Sequence, residues 1–167
     1  MASTEDKTAL NWHRWVAERA EAFLLYARQQ ARCEEDARDL VQEAMVEAWQ
    51  RSGGRTPDTA LVIATIRRRA IDLGRSTESR RRREEANGSP VEPWFEPDVA
   101  AGDDRAVLAA ALAELPPHLR ETVTLKIWSG LSFPDIAEIT GVPVPTAASR
   151  FRYAIEALRK RVGPQFA

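Results

Sequence analysis

The sequence predicts an all-α protein made of two small helical domains joined by an acidic, proline-bearing segment. Three observations carry that expectation. Apolar residues recur at helical spacing on both sides of the segment, and no stretch alternates convincingly like a strand. Residues 84–104, EEANGSPVEPWFEPDVAAGDD, hold three prolines and two glycines and show no helical period. Cationic residues gather on either side of that stretch, which itself contains neither Lys nor Arg.

Taken in order, the first helix is expected from about Thr8 to Arg32, with Trp12, Val16, Phe23, Leu24 and Ala27 on its apolar face. A second runs from about Glu34 to Arg51 and buries Ala37, Leu40, Val41, Ala44 and Ala48. The loop SGGRTPD, Ser52 to Asp58, stops it with two glycines and a proline. A third helix follows from about Thr59, turning Val62, Ile63, Ile66, Ala70 and Leu73 inward and its arginines outward. Three such amphipathic helices enclose one small core, which sets a first domain at 8–83 and a flexible linker at 84–104. Fully extended, that linker spans about 70 Å, some two turns of B-DNA. Within it, the pair Trp94-Phe95 reads as an apolar tack onto a domain or as a docking point for a partner.

The second domain is expected over 105–163. One helix reaches Leu115 and stops at Pro116-Pro117; the next runs from about Pro117 to Trp128, with Pro117 in the first turn, where a missing N–H costs nothing. Ser132 is placed to cap a short helix, PDIAEI, and Pro145 opens the last one, whose Ala147, Phe151, Ala154 and Leu158 share a core-facing side. Between them Thr140-Gly141-Val142 makes a tight turn, and Ala137 is small enough for a close helix contact. That is the pattern of a helix-turn-helix. Burying one side of the last helix leaves Thr146, Ser149, Arg150 and Tyr153 opposite, with Arg152 beside them: hydrogen-bonding and cationic groups where a recognition helix meets base edges.

Charge distribution supports contact with nucleic acid despite a net charge of −1. Arg67, Arg68, Arg69, Arg75 and Arg80 to Arg83 form one basic block, and Arg150, Arg152, Arg159, Lys160 and Arg161 form another. Cys33 is the sole cysteine and His13 and His118 the only histidines, so a Cys/His zinc site is not expected and a reducing compartment is. The N-terminal residues lack the pattern of a secretory signal, and no apolar run approaches the roughly 20 residues that span a bilayer, so a cytoplasmic protein without membrane insertion is expected. No Gly-rich phosphate loop, nucleophile motif or ligand cluster points to an enzyme or a cofactor.

Two blocks of sequence in one order carry a family resemblance. EDARDLVQEAMVEAW, Glu35 to Trp49, resembles the second conserved region of bacterial sigma-70-family factors, and ALVIATIRRRAIDLGR, Ala60 to Arg75, resembles the helix after it. LPPHLRETVTLKIWSGLSFPDIAEITGVPVPTAASRFRYAIEALRKR, Leu115 to Arg161, resembles the fourth region. With no folded region between, the resemblance is to the extracytoplasmic-function (ECF) group. It implies a transcription initiation factor that binds core RNA polymerase and promoter DNA, with an anti-sigma protein as a further partner.

The resemblance also implies roles. Glu35, Asp39, Glu43 and Glu47 form an i,i+4 row of like charges, which repel on an isolated helix. Asp39, Gln42, Glu43 and Glu47 are the expected polymerase contacts. Arg67, Arg68 and Arg69, with Arg55 in the preceding loop, are expected at the minus-ten element, where cationic groups follow the backbone while a pocket takes an unstacked base. Thr146, Ser149, Arg150, Arg152 and Tyr153 are expected at the minus-thirty-five element. The chain departs from the family where Leu61 and Ile63 stand in place of frequent aromatics, where Ala148 and Tyr153 replace frequent Lys or Arg, and where Pro145 replaces a usual glycine. Fewer cationic contacts imply a weaker or differently specified minus-thirty-five interaction. The acidic linker either imitates nucleic acid inside polymerase or stays solvated and off the DNA. A free-standing helix-turn-helix regulator is the rival reading; it leaves the DLVQE helix and its arginine-rich successor without a purpose.

Overall fold

All seven regular elements among the described residues are α-helices: α1 (Thr4–Gln30), α2 (Glu34–Arg51), α3 (Thr59–Glu84), α4 (Asp103–Ala113), α5 (Pro117–Ile127), α6 (Phe133–Thr140) and α7 (Val144–Val162). The computed structural model describes the backbone at 4–84 and 103–163 and side chains at 11–76 and 106–163. Helices α1–α3 belong to one compact unit and α4–α7 to a second. The expected linker, with Trp94 and Phe95, lies outside the described residues apart from its ends: Glu84 closes α3, and Asp103 and Asp104 open α4.

In the first unit the buried row of α2 is mostly alanine: Ala37, Ala44 and Ala48, with Leu40. Small side chains there let α1 and α3 approach α2 closely enough for Phe23 and Tyr26 from one side and Val62, Ile63 and Ile66 from the other to become fully buried. Tyr26 joins the core although it stood outside the expected apolar face, while Trp12, Val16, Leu24 and Val41 are only half-buried. Leu73, expected inward, is 42% exposed. Every residue from Ile71 to Ser76 is exposed, so α3 has left the three-helix core by that point and the apolar phase of its sequence no longer leads into it.

The α1–α2 corner is fixed electrostatically. Cys33 caps α2, its Sγ accepting the Asp36 N–H at 3.4 Å. Arg28, in the last turn of α1, forks onto Glu34, in the first turn of α2, with Nε–Oε2 at 2.8 Å and Nη2–Oε1 at 2.7 Å; Arg38 adds a third contact at 3.1 Å. The cation sits at a helix C-terminus and the anion at a helix N-terminus, which both dipoles favour.

The second unit packs Ala111, Leu112, Leu115, Val123, Ala154, Leu158 and Val162 into one core. Arg120 is 7% exposed, and its Nη2 donates to the carbonyls of Ala113 and Leu115 at 3.3 and 3.0 Å. It thereby serves the carbonyls at the end of α4, where no further helical N–H exists. Desolvation pulls its pKa down from the ordinary guanidinium range. Pro117 stands at the first turn of α5 as expected.

Glu34 gives this corner a pH dependence. The hydrogen bond from Arg28 lowers its pKa most; burial opposes that, and Arg38 adds to it, leaving the carboxyl at about 2 against an ordinary 4.5. A depressed carboxylate stabilises the folded chain fully above 4.5 and progressively loses that contribution as pH falls toward 2. Glu34→Gln should therefore lower stability at pH 7 by about 1 kcal/mol, for a charged fork that is only partly buried. The difference from the parent chain should close between pH 4.5 and 2 in urea titrations followed by tryptophan fluorescence. A pH-independent difference would assign the effect to packing.

Candidate nucleic-acid interface

Across α2 and α3 the structure brings together two residue sets to which the sequence assigned separate roles. The helices run antiparallel, and Arg69 donates from Nη1 to Glu43 at 2.6 Å and from Nε to Glu47 at 2.9 Å. Arg68 also holds Glu47, and Arg51 reaches it at 3.3 Å. Arg68 stays exposed as expected while reaching Glu47, and the expected outward orientation is corrected for Arg69, which is half-buried: both lean on the acidic row of the neighbouring helix. The cause is that row's own repulsion, which cations from α3 relieve. Arg67 is half-buried.

The acidic row itself divides. Glu35, Asp39, Gln42 and Glu43 are exposed, whereas the Glu47 side chain retains 17% of its accessibility. Burial pushes the Glu47 carboxyl up, but the Arg69 hydrogen bond and the charges of Arg68, Arg69 and Arg51 outweigh it, and the net shift is downward.

The loop between these helices follows Ser52 with Gly53 and Gly54 at φ of +62° and +75°, left-handed values that admit glycine without strain. Arg55, the expected base contact, is exposed beyond them, and Pro57 is buried. Asp58 Oδ1 accepts the Ala60 N–H at 3.3 Å and so starts α3. Beneath the loop lies an aromatic cluster that sequence reasoning missed: Trp12 meets Trp49 at 4.4 Å between ring centroids and Trp15 at 5.5 Å, and a Cβ on Gly54 would stand 3.8 Å from the Trp49 ring. The i,i+3 spacing of Trp12 and Trp15 was a usable signal for a shared face.

In the second unit, α6 opens on a reciprocal capping box: Ser132 Oγ accepts the Asp135 N–H at 3.2 Å and Asp135 Oδ2 accepts the Ser132 N–H at 3.3 Å. It ends at Gly141, φ +70°, where the Gly141 and Val142 N–H groups both go to the Ala137 carbonyl. The Lys126 ammonium lies 4.6 Å from the Phe133 ring centre, and Phe133 meets Phe151 edge-on at 5.7 Å, which ties α5, α6 and α7 together. Ala147, Ala154 and Leu158 are buried as expected. Arg152 and Tyr153 are exposed, with the Arg152 guanidinium 5.3 Å from the Tyr153 ring, while Thr146, Ser149 and Arg150 are half-buried beside them. Among the described residues no cluster of His, Cys, Asp and Glu could hold a metal ion, and no helix is long and apolar enough to cross a membrane.

Comparison with known proteins agrees with this layout. Residues 105–158 match the family model for sigma-70, region 4. Over 128 residues the chain is 34% identical to the ECF RNA polymerase sigma factor SigL of Mycobacterium tuberculosis, covering 74% of this chain and 72% of that one. The chain belongs to the ECF sigma factors. A second member, the RNA polymerase sigma-E factor of Streptomyces avermitilis, is 31% identical over 159 residues, 92% of this chain and 86% of the relative. The fold of this sigma factor is also that of the solved RpoE from Bartonella quintana, determined with the anti-sigma factor NepR, at a TM-score of 0.68 and 22% identity over 91% of this chain and 96% of that one. With family membership comes a role in transcription initiation with promoter recognition.

The cross-helix ion pairs make unequal demands on their two acids. Glu47→Gln should destabilise the sigma factor by about 1–2 kcal/mol, because it leaves arginines without their shared, largely buried counter-ion. Glu43→Gln should cost under about 1 kcal/mol, as exposed pairs do. Urea unfolding at pH 7 compares the two, and equal losses would show that burial of Glu47 does not matter.

Proposed function

We propose that the two units divide promoter recognition: the first, 8–83, binds core RNA polymerase and helps melt the minus-ten element, and the second, 105–163, reads the minus-thirty-five element through α7. The observation that carries this reading is the exposed Arg152–Tyr153 end of a hydrogen-bonding surface on the second helix of a capped helix-turn-helix, with Thr146, Ser149 and Arg150 alongside. Such a helix lies in the major groove. Polymerase meets the exposed Asp39, Gln42 and Glu43, while Glu47 serves mainly to hold Arg68 and Arg69 in place. Arg55, above the tryptophan cluster, faces the unstacked base, and Arg67, Arg68 and Arg69 lie along the strand backbone. Residues 84–104 tether the two units. The factor acts in the cytoplasm, and, since RpoE of Bartonella quintana was solved with an anti-sigma factor, an anti-sigma protein holds this chain inactive as well.

This division explains a net charge near zero. Nonspecific affinity for DNA grows with each phosphate a protein neutralises. A factor delivered to the promoter by polymerase does not need that affinity, and balanced charge keeps it off other DNA.

Run-off transcription with core RNA polymerase and this chain on genomic fragments should yield discrete start sites preceded by two shared elements. Asp39→Lys with Glu43→Lys should abolish polymerase pull-down; retention would remove α2 from the polymerase interface. Arg150→Ala and Arg152→Ala should each lower transcript from the mapped promoter, and each phosphate left without its cation should flatten the slope of log K against log salt by roughly 0.9. Unchanged transcript in both variants would exclude α7 as the reader.

A further inference from the structure

On α7, residues one turn apart form rows along the surface. One row runs Val144, Ala148, Arg152, and its neighbour runs Pro145, Ser149, Tyr153. Val144 is the first residue of the helix and is 42% exposed; Pro145 is exposed and Ala148 half-buried. None of these three side chains donates or accepts a hydrogen bond. Of the two hydroxyls in this stretch, Thr146 lies about 200° round the helix from Val144 at roughly 100° per residue, and Ser149 sits one turn beyond Pro145. The N-terminal end of a recognition helix is the part that meets base edges, and here Val144, Pro145 and Ala148 give that end an apolar strip, with the Ser149 hydroxyl following Pro145 along the second row.

We propose that the first two turns of α7 select thymine, with Val144, Pro145 and Ala148 packing against its 5-methyl group in the major groove. The inference rests on α7 being the minus-thirty-five reader. Of the four bases, thymine alone presents a methyl group on that edge, while the others offer only donors and acceptors. An apolar surface pressed against guanine, cytosine or adenine strips water from polar atoms and returns no hydrogen bond, an uncompensated cost. Against thymine it buries a methyl group and leaves O4 to water or to the hydroxyl of Ser149. Arg152, next along the first row and exposed, then supplies the cation for the adjoining phosphate. The element read by this factor is therefore expected to hold thymine, on either strand, opposite the start of α7, where a factor with lysine or arginine at position 148 would favour guanine.

The test uses the holoenzyme, core RNA polymerase with the full chain, on the promoter mapped by run-off transcription. Each thymine of its minus-thirty-five element, on each strand in turn, is replaced by deoxyuridine, which removes the methyl group and leaves the hydrogen-bonding pattern intact. Loss of one buried methyl should weaken holoenzyme binding roughly three- to fivefold at one or more positions. In Val144→Ala or Ala148→Ser that penalty should shrink toward none, since the surface that sensed the methyl has gone. Val144 is exposed at a helix start, so its replacement leaves the core untouched.

Deoxyuridine without effect at every thymine, while Arg150→Ala or Arg152→Ala still lowers binding, overturns thymine selection and leaves α7 as the reader. A penalty undiminished in both variants also overturns it, because the methyl is then sensed elsewhere. A minus-thirty-five element without thymine on either strand does the same, as does Val144→Ala weakening polymerase pull-down with no deoxyuridine effect, which would make Val144 a polymerase contact. If neither deoxyuridine nor the arginine variants change binding, the reader assignment itself fails.

Discussion

The carboxylate of Glu47, held by Arg51, Arg68 and Arg69, joins α2 to α3 beside the apolar core of the first unit. Glu47 is partly buried, and the guanidinium groups around it keep its carboxyl ionised against the cost of that burial. The ion pairs agree with the register of α3 on α2 that the packing sets, with Arg69 between Glu43 and Glu47. The same alignment places the alanines of α2 against Val62, Ile63 and Ile66, and it delivers the glycine loop and Arg55 to one end of the helix pair. Packing and electrostatics thus agree on a single arrangement.

The second unit reaches a comparable definition by other means. Its helices are short, and short helices owe their persistence to how their ends are satisfied. Arg120 closes α4, Ser132 and Asp135 open α6, and Gly141 turns the chain into α7. Because the turn is bonded to Ala137 at one end and α7 is seated through Ala147 and Phe151 at the other, the outer side of α7 is presented at a fixed angle. The reading proposed for α7 needs that property, and here it comes from backbone bonds in the turn together with the seating of α7 on the core.

How much of this could be read in the sequence follows from whether the determining signal is local. The Ser132 cap, Pro117 in a first turn and the buried Ala147, Ala154 and Leu158 of α7 depend on neighbours within a few residues, and the structure has them as expected. Helix ends differ: α1 spans Thr4–Gln30 in place of Thr8 to Arg32, and α4 stops at Ala113, short of Leu115. Periodicity does not record where the core ends: Leu73 keeps the inward phase of α3, yet its side chain stands exposed. Nor does it record what a facing helix carries, so an acidic row on α2 and a basic row on α3 looked like two surfaces when Glu47 and Arg69 make them one seam. Tyr26 and the tryptophan cluster were missed for the same reason, since their burial depends on contacts between helices. The outer face of α7 was legible because it is defined by what remains after a local apolar row is assigned.

The stacked tryptophans beneath the glycine loop have a spectroscopic consequence. Indole emission responds to the polarity and rigidity of its surroundings, and Trp49 lies against Gly54, in the loop that carries Arg55. A nucleotide entering that loop would displace solvent next to this ring and alter its coupling to Trp12. On the proposed role of this loop, promoter opening would carry its own optical signal, native to the chain, with no dye attached to the DNA.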